Sequence, residues 1–265
     1  MDELTFAAPA GLTAFDLTGR LALITGSSQG IGRALATGLA SAGATVIVHG
    51  RDADKAARTA ASITAGTRAT VHRRVFDVTD PDAVEAGFAE IADTLGVPDI
   101  VVNNAGLQRR APITEFTDAD WQDLVGTNLS SAFYVSRSAA RHMVPRGSGK
   151  LIQIGSVQSQ LARPSIAPYS ATKGAIVMLT KGLCADLAPH GIQANAIAPG
   201  YFATELTRAL VEDEEFSAWV RSRTPAARWG DVRDLVGACV FLASAASNFV
   251  NGQTLFVDGG MTAVV

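Results

Sequence analysis

The sequence predicts a single domain of the doubly wound α/β class, built on a parallel sheet of about seven strands. Seven short runs rich in β-branched residues alternate along the chain with longer segments whose apolar residues recur at helical spacing. The strand-like runs are almost continuously apolar, as expected for a parallel sheet that helices cover on both faces. With 265 residues, of which 48% are hydrophobic and 18% charged, the chain can form one large core.

The predicted strands and helices follow one another in regular order until the last third of the chain. The predicted strands are residues 21–25, 45–48, 70–76, 100–102, 151–154, 193–197 and 254–257. The clearest predicted helices are 31–42, 53–65, 81–95 and 121–143. An insertion at about 200–230 then interrupts the alternation and carries an acidic run at 212–215. This run fits a solvated surface helix, or a lid over a site at the carboxyl ends of the strands.

Charge and hydropathy exclude several classes of protein. The 22 Lys and Arg against 25 Asp and Glu give a net charge of -3, so we expect no nucleic-acid partner. The longest apolar stretch, 235–243, is far shorter than the roughly 20 residues that cross a membrane. Residues 1–14 lack the basic and apolar segments of a secretion signal. We therefore expect a cytoplasmic protein, with a flexible start at 1–14 and one domain over 15–265.

Neither the cysteines nor the histidines are spaced like metal ligands. Cys184 and Cys239 lie in apolar helical segments without a Cys-x-x-Cys pattern, and we expect both to be buried free thiols. The four histidines show no His-x-x-x-His or comparable spacing. The sequence therefore predicts no metal site.

A glycine-rich segment directly after the first predicted strand indicates a nucleotide cofactor. Gly26, Gly30 and Gly32 follow one another at intervals of four and two residues. Glycine permits a tight turn from strand to helix, and it lets the backbone approach a pyrophosphate bound at the helix N-terminus. A plain structural turn would show similar glycines. Because this turn opens a predicted βαβ unit, we interpret it as a dinucleotide-binding site.

The end of the second predicted strand indicates which dinucleotide the chain prefers. An acidic residue at this point binds the ribose hydroxyls of NAD, whereas an arginine favours the 2′-phosphate of NADP. Gly50 stands at the position of the acid and Arg51 follows it, so the pattern favours NADP(H) and leaves NAD(H) open. We expect Asp52 to cap the following helix rather than to bind ribose.

Ser156, Tyr169 and Lys173 form a candidate catalytic set. The tyrosine and lysine are four residues apart, so they share one face of a helix that Pro168 could begin. A phenol is a poor base at neutral pH, and a neighbouring ammonium would lower its pKa by stabilising the phenolate. Ser156 follows a predicted strand, at the edge of the sheet where doubly wound folds bind ligands. Together these residues predict acid–base chemistry, with the Tyr169 phenol as the evident proton-transfer group.

At this point residues 15–265 resemble the classical short-chain dehydrogenase/reductase family, whose fold is of the Rossmann type. The matching motifs are residues 25–32, Asn103-Asn104-Ala105-Gly106, Asn128, Ser156, Tyr169-x-x-x-Lys173 and Pro199-Gly200. The resemblance implies that Tyr169 is the acid–base group and that Ser156 hydrogen-bonds the substrate oxygen. It also implies that Lys173 holds the nicotinamide ribose and lowers the pKa of the tyrosine, and that Asn128 supports a proton-relay water.

The same resemblance, with the glycine turn and Arg51, gives a set of expected cofactor residues. They are Gly26, Ser28, Gln29, Gly30, Ile31, Gly32, Arg51, Asp77, Val78, Asn104, Ala105, Gly106, Tyr169, Lys173, Pro199, Gly200 and Thr204. Within this set, Asp77 and Val78 are expected to contact adenine. Thr204 is expected to bind the nicotinamide carboxamide.

The loops that follow the strands resemble those of family members that interconvert D-gluconate and 5-dehydro-D-gluconate. Residues 103–110, 199–202, 223–230 and 249–252 carry this likeness. A sugar acid needs a cation for its carboxylate and polar groups for its hydroxyls. The expected substrate residues are Arg109, with Arg110 as the alternative, Gln158 and Tyr201. The two arginines could instead lie in a solvated loop or a subunit contact.

Other functions remain open from the sequence alone. The same machinery would serve a reductase of 3-oxoacyl thioesters, or a dehydrogenase of a related sugar acid. A non-catalytic scaffold would not need the intact set of Asn128, Ser156, Tyr169 and Lys173. The family resemblance further implies a homotetramer or homodimer, with contacts through the helix that bears the tyrosine and through the last strand.

Overall fold

Seven parallel strands form one sheet in the computed structural model, which describes residues 11–205 and 207–265. The strands are β1 (Leu21–Ile24), β2 (Thr45–Gly50), β3 (Val71–Val75), β4 (Ile100–Asn103), β5 (Gly149–Ile154), β6 (Ile192–Pro199) and β7 (Thr254–Val257). Their order is β3-β2-β1-β4-β5-β6-β7, and every neighbouring pair is parallel. The predicted doubly wound class is confirmed. The order reverses between β1 and β4, which opens a crevice at their carboxyl ends.

Helices connect the strands and cover both faces of the sheet. They are α1 (Gly30–Ser41), α2 (Ala53–Thr67), α3 (Pro81–Thr94), α4 (Asp118–Val125), α5 (Ser131–Arg146), α6 (Ala167–Leu187), α7 (Arg208–Val211), α8 (Glu214–Arg223) and α9 (Val236–Ala243). A π-helical turn, Gly126–Ser130, joins α4 to α5 within the segment predicted as one helix. Of the segment expected to be flexible, residues 1–10 lie outside the described residues, and 11–15 form a 3₁₀ turn.

Two apolar cores lie on opposite faces of the sheet. Helices α1, α2 and α9 pack on one face, where Leu39 contributes to the core beside Ile24 of β1. Helices α3, α5 and α6 pack on the other, where Phe88 and Met143 join Leu23 of the same strand. Adjacent side chains of each strand therefore enter different cores, because strand side chains alternate between faces. This explains why β1, with the sequence Leu-Ala-Leu-Ile, is apolar at every position.

Local signals in the sequence set several element boundaries. Asp52 accepts hydrogen bonds from the backbone N–H groups of Asp54 and Lys55, so the predicted cap of α2 is confirmed. Pro168 lies in the first turn of α6, as predicted.

Cys239 is a buried free thiol, and burial raises its pKa to about 12. Cys184 is only partly buried, so the expectation of a buried thiol is wrong there.

The insertion between β6 and α9 forms α7 and α8 on the protein surface. Asp213 caps α8 by accepting from the N–H of Phe216, and the neighbouring acids Glu214 and Glu215 are exposed. Val220 on the opposite side of the helix is fully buried. The acidic run therefore lies at the junction of α7 and α8 and faces solvent, while the other side of α8 is packed. Within the described part of the chain, no helix is both long and apolar enough to span a bilayer.

Candidate active site

The glycine turn between β1 and α1 has a backbone that other residues would strain. Gly26 and Gly30 have φ angles of 61° and 55°, in the left-handed region that glycine tolerates. A Cβ on Gly26 would lie 2.9 Å from the Cα of Ala105. A Cβ on Gly32 would lie 2.8 Å from the Cα of Ser27 and would also collide with the Asn104 side chain. The glycines thus allow two backbone segments to meet at the β1–β4 crevice.

Asn104 and Thr25 lock these two segments together. The Asn104 amide donates to the carbonyl oxygens of Thr25 at 2.9 Å and Gly26 at 3.0 Å. In return the Thr25 hydroxyl accepts from the backbone N–H groups of Asn104 and Ala105. The Asn-Asn-Ala-Gly motif therefore fixes the conformation of the glycine turn that leads into the N-terminus of α1.

The N-terminus of α1 fits a bound pyrophosphate. Gln29, which precedes the helix, makes no side-chain hydrogen bond to its first turn. Nothing lies within 4 Å of the position that a Cβ on Gly30 would occupy. Gly30, Ile31 and Gly32 of the first turn line an open cleft, where free N–H groups of a helix N-terminus can donate to phosphate oxygens.

His49 supports the glycine turn from β2, a role that spacing alone did not reveal. Its Nδ1 accepts from the N–H of Gly26 at 3.2 Å, which leaves Nε2–H to donate to the carbonyl of Phe76 at 3.1 Å. Burial lowers the pKa of His49 to about 4, so the imidazole is neutral at physiological pH. The sequence signal was its position one residue before Gly50 at the end of a buried strand.

The expected adenosine-binding residues lie beyond the central cleft. Arg51 is exposed, and its guanidinium lies 3.7 Å from the carboxylate of Asp77. A Cβ on Gly50 would lie 3.2 Å from Ser28 Oγ, so the missing side chain leaves room beside the turn. Val78 is buried. Arg51 and Ser28 thus flank the end of β2, the position that the sequence predicts to decide between NAD and NADP.

A cleft of about 1220 Å³, including its open mouth, follows the carboxyl ends of β1, β4, β5 and β6. The expected cofactor residues that line it are Gly26, Gln29, Gly30, Ile31, Gly32, Asn104, Ala105, Gly106, Tyr169, Lys173, Pro199, Gly200 and Thr204. Ser156, Arg110, Gln158 and Tyr201 line it as well. The glycine turn, the catalytic set and most of the expected substrate residues therefore share one cleft.

Ser156 and Tyr169 meet in this cleft. Ser156 lies two residues after the end of β5 and is 8% exposed. Its Oγ accepts from the N–H of Gln158 at 3.1 Å. This leaves the hydroxyl proton of Ser156 free to donate. The serine also hydrogen-bonds the Tyr169 hydroxyl in the first turn of α6. A substrate oxygen placed between them would contact two hydroxyl groups.

Lys173 lies one turn beyond Tyr169 on α6 and donates to a backbone carbonyl. Burial raises the pKa of Tyr169, and the Ser156 hydrogen bond and the Arg110 charge oppose this only in part. The Lys173 ammonium lies 5.8 Å from the tyrosine ring centroid and donates to the Ile154 carbonyl at 2.8 Å. The structure does not support the expectation that Lys173 lowers the pKa of the tyrosine. Burial instead lowers the pKa of Lys173 itself to about 8.

Asn128 acts on the loop after β4 rather than on the cleft directly. It lies in the π-helical turn, a feature that often marks functional positions. Its side chain pairs with the backbone of Leu107, accepting from the N–H at 2.8 Å and donating to the carbonyl at 2.9 Å. The amide also lies 3.4 Å from the Thr172 hydroxyl on α6. Asn128 thus connects the loop that carries Arg110 to α6, the helix that bears Tyr169 and Lys173.

The two arginines of this loop point in different directions. Arg109 pairs with Asp120 at 3.3 Å and with Asp123 at 2.6 Å on α4, outside the cleft. The structure therefore does not support Arg109 as the substrate cation, because the acids of α4 already hold its guanidinium. Arg110, the alternative, lines the cleft. So does Arg163, a cation that sequence reasoning did not single out.

A second phenol lies in the cleft besides Tyr169. Tyr201 packs edge-on against Phe216, Trp219 and Trp229 at centroid distances of 5.7, 5.7 and 5.8 Å. Burial raises its pKa. Phe216 and Trp219 of α8 and Trp229 after it thus form an aromatic wall behind Tyr201. We call this end of the cleft, which holds the expected substrate residues Arg110, Gln158 and Tyr201, the substrate end.

Comparison with known proteins agrees with the class that the fold and the cleft define, a nicotinamide-dependent oxidoreductase. Residues 26–262 match a family model described as enoyl-(acyl carrier protein) reductase. The chain belongs to the short-chain dehydrogenase/reductase family. Within the part of the chain that the structure describes, no group of three His, Cys, Asp or Glu side chains is placed to hold a metal ion.

Relatives with high identity carry names from sugar-acid metabolism. The chain is 56% identical over 249 residues to the gluconate 5-dehydrogenase of Gluconobacter oxydans strain 621H, covering 94% of this chain and 96% of that one. It is 51% identical over 252 residues to the 5-keto-D-gluconate 5-reductase of Escherichia coli strain K12, covering 95% and 98%. A gluconate 5-dehydrogenase from Burkholderia cenocepacia J2315, crystallised with NADP and tartrate, superposes with a TM-score of 0.94 at 57% identity, covering 96% and 99%.

Proposed function

We propose that the chain interconverts D-gluconate and 5-dehydro-D-gluconate, with NADP(H) as its cofactor. The observation that carries this proposal is the guanidinium of Arg110, which lies in the same cleft as the Ser156–Tyr169 pair and has no carboxylate partner among the described residues. Its Nη2 donates to the neutral side chain of Gln108 at 2.9 Å. A cation at this place suits an anionic polyhydroxy substrate. The relatives that share more than half of its residues are named for this reaction, and one was crystallised with tartrate, itself a hydroxy acid.

In the reduction, the chain's own residues handle the ketone oxygen and its proton. A bound NADPH would supply the hydride that forms the new C–H bond at C5 of the substrate. Ser156 donates a hydrogen bond to the ketone oxygen, while Tyr169 transfers its phenolic proton to the same oxygen as negative charge develops. The product is a secondary alcohol, and the tyrosine is left as phenolate until it regains a proton. Oxidation runs through the same contacts in reverse.

The raised pKa of Tyr169 suits the donor role. At neutral pH the phenol is protonated, because burial disfavours its ionised form. The Lys173 ammonium, fixed on the Ile154 carbonyl beside it, would hold the nicotinamide ribose as the family resemblance implies. The reductive direction therefore starts from the protonation state that the enzyme already has.

The alternative substrate, a 3-oxoacyl thioester, predicts a different assay result. We expect turnover of D-gluconate with NADP⁺ and of 5-dehydro-D-gluconate with NADPH, and little reduction of an acetoacetyl thioester. The two cations that line the cleft, Arg110 and Arg163, suit the carboxylate of a keto acid better than a neutral acyl chain. Faster reduction of the thioester than of the keto acid would contradict the proposal.

The preference for NADP is expected to depend on Arg51. Arg51→Ala should weaken NADP binding by about 1.5–3 kcal/mol, typical of a hydrogen bond to a charged group, and leave NAD binding nearly unchanged. Titration of both cofactors by fluorescence or calorimetry measures the difference. Arg141→Ala is the matched control, because it removes another exposed, ion-paired guanidinium on α5. Equal losses for NAD and NADP would rule out this assignment.

The oligomeric state is expected to be a homotetramer, with a homodimer as the alternative. Large apolar side chains are exposed on two surfaces: Trp121, Phe133 and Met178 on α4–α6, and Leu255 on the edge strand β7. Light scattering on the purified protein should give about four times the 27.5 kDa of one chain. Phe133→Glu should reduce the tetramer to dimers, whereas a monomeric wild type would contradict the prediction.

We also infer from the sequence and the family resemblance that the enzyme acts in the cytoplasm.

A further inference from the structure

The substrate end of the cleft contains two cations without a carboxylate partner. Arg110 follows β4, and Arg163 lies in the loop that precedes α6. Among residues 11–205 and 207–265, no carboxylate lies within 4.0 Å of either guanidinium, the limit for an ion pair. Glu205 also lines the cleft but pairs with neither arginine. Burial lowers the pKa of Arg110, and repulsion from Arg163 lowers it further. An anion between the two guanidinium groups would remove this repulsion.

The aromatic wall holds Arg163 in place. Its guanidinium carbon lies 5.4 Å from the centroid of the Phe216 ring on α8, within the range of a cation–π contact. A guanidinium stacked on a ring keeps its in-plane N–H groups available as donors. The Nε of Arg163 is buried and has no hydrogen-bond partner among the described residues. Arg163 is therefore positioned on one side by an aromatic contact while it retains an unsatisfied donor.

Gln158 is a second unsatisfied polar group at this end. Its side chain is 8% exposed, and its Nε2 lies 3.5 Å from the Tyr201 hydroxyl. The Oε1 atom is buried without a partner among the residues that the structure describes. A buried acceptor of this kind costs free energy unless a ligand supplies a donor. A substrate hydroxyl would supply one.

The loops that carry the two arginines are joined by their backbones. The N–H of Ala111 donates to the carbonyl of Ser165 at 3.2 Å. Ser165 has a φ of 67°, in the left-handed region, so the loop before α6 holds a strained residue at the contact. Because strain of this kind persists only where the surroundings enforce it, the relative placement of Arg110 and Arg163 is built into the loops.

We propose that Arg163 and Arg110 together bind the carboxylate of the substrate, with Gln158 Oε1 accepting from a nearby hydroxyl. This inference rests on the proposed function and deepens it by naming the residue that selects an acid over a neutral polyol. Two guanidinium groups supply enough in-plane donors for both carboxylate oxygens. Arg163 is thus a specificity-determining residue, and the insertion contributes to specificity by supplying the Phe216 ring beneath it.

The test compares two linear substrates that differ only at the end bound by the arginines. D-Glucitol is D-gluconate with a hydroxymethyl group in place of the carboxylate. Arg163→Gln should lower kcat/KM for D-gluconate by roughly 10- to 200-fold, mainly through KM, and change that for D-glucitol by less than about threefold. Arg163→Lys keeps the charge without the planar fork, so its loss should be intermediate. Arg109→Gln, which removes the paired arginine outside the cleft, should leave both values nearly unchanged.

The outcomes separate this inference from the proposed function. If the wild type oxidises D-gluconate but Arg163→Gln keeps the wild-type ratio of the two kcat/KM values, the inference is wrong and the proposed function stands. If the wild type does not oxidise D-gluconate with either cofactor, both are wrong. NADP titration and thermal melting establish that each variant is folded. If Arg163→Gln does not fold, the same ratio is measured on Arg163→Lys, for which an unchanged ratio would also overturn the inference.

Discussion

Tyr169→Phe is expected to lower kcat by about 10²- to 10⁴-fold, the usual contribution of general acid–base catalysis. The substitution removes one hydroxyl and keeps the ring that packs in the first turn of α6. Cofactor affinity and thermal stability should therefore stay close to those of the wild type. Steady-state rates for 5-dehydro-D-gluconate, with NADPH titration as a second measurement, check both parts.

Tyr201→Phe is the matched control, because Tyr201 is the other phenol that lines the cleft. Its hydroxyl lies next to Gln158 and is backed by the aromatic wall, whereas the hydroxyl of Tyr169 is bonded to Ser156. We expect Tyr201→Phe to raise KM and to keep most of kcat. A larger loss of kcat in Tyr201→Phe than in Tyr169→Phe would reverse the assignment of the proton donor.

The fold, and the meeting of the candidate catalytic residues in one cleft, were predictable because their signals are local. A single element and its connection place each of them: the glycines of the turn after β1, Ser156 in the connection just after β5, and the Tyr169–Lys173 pair on α6. Parallel strands bring their carboxyl ends to one edge of the sheet, so knowledge of the strands suffices to bring these residues together. Seven strands and one cleft follow from that pattern.

The substrate end was not predictable in the same way, because distant segments decide which side chains face it. Arg109 and Arg110 are adjacent in the sequence, and the acids of α4 determine that Arg109 turns away. Arg163 gains its role from Phe216, 53 residues further along the chain. The raised pKa of Tyr169 and the lowered pKa of Lys173 were also not predictable from the sequence, because the burial that causes them depends on the whole packed cleft.

Lys173→Met should lower kcat/KM for NADPH by about 10²- to 10³-fold, comparable to the loss of a positioned donor in an active site. The wild-type value should also fall above pH 8. Burial lowers the pKa of Lys173 from 10.5 to about 8, so the ammonium is present below pH 8 and is lost above it. Since kcat/KM reports groups of the free enzyme, the fall should be absent from the Met variant, which has no ammonium to lose. If kcat/KM of Lys173→Met falls above pH 8 as it does in the wild type, this assignment is wrong.

Thermal stability separates this role of Lys173 from a structural one. A base whose pKa is lowered in the folded state destabilises the fold below that pKa, and the stability recovers as the pH rises from about 8 to 10.5. A shift from 10.5 to about 8 corresponds to about 3 kcal/mol of destabilisation at pH 7, partly offset by the hydrogen bond to Ile154. Methionine fills a similar volume without the charge, so Lys173→Met should melt no lower than the wild type at pH 7 while its activity falls. A variant that loses stability and activity in parallel would make Lys173 a structural residue rather than one that serves the cofactor.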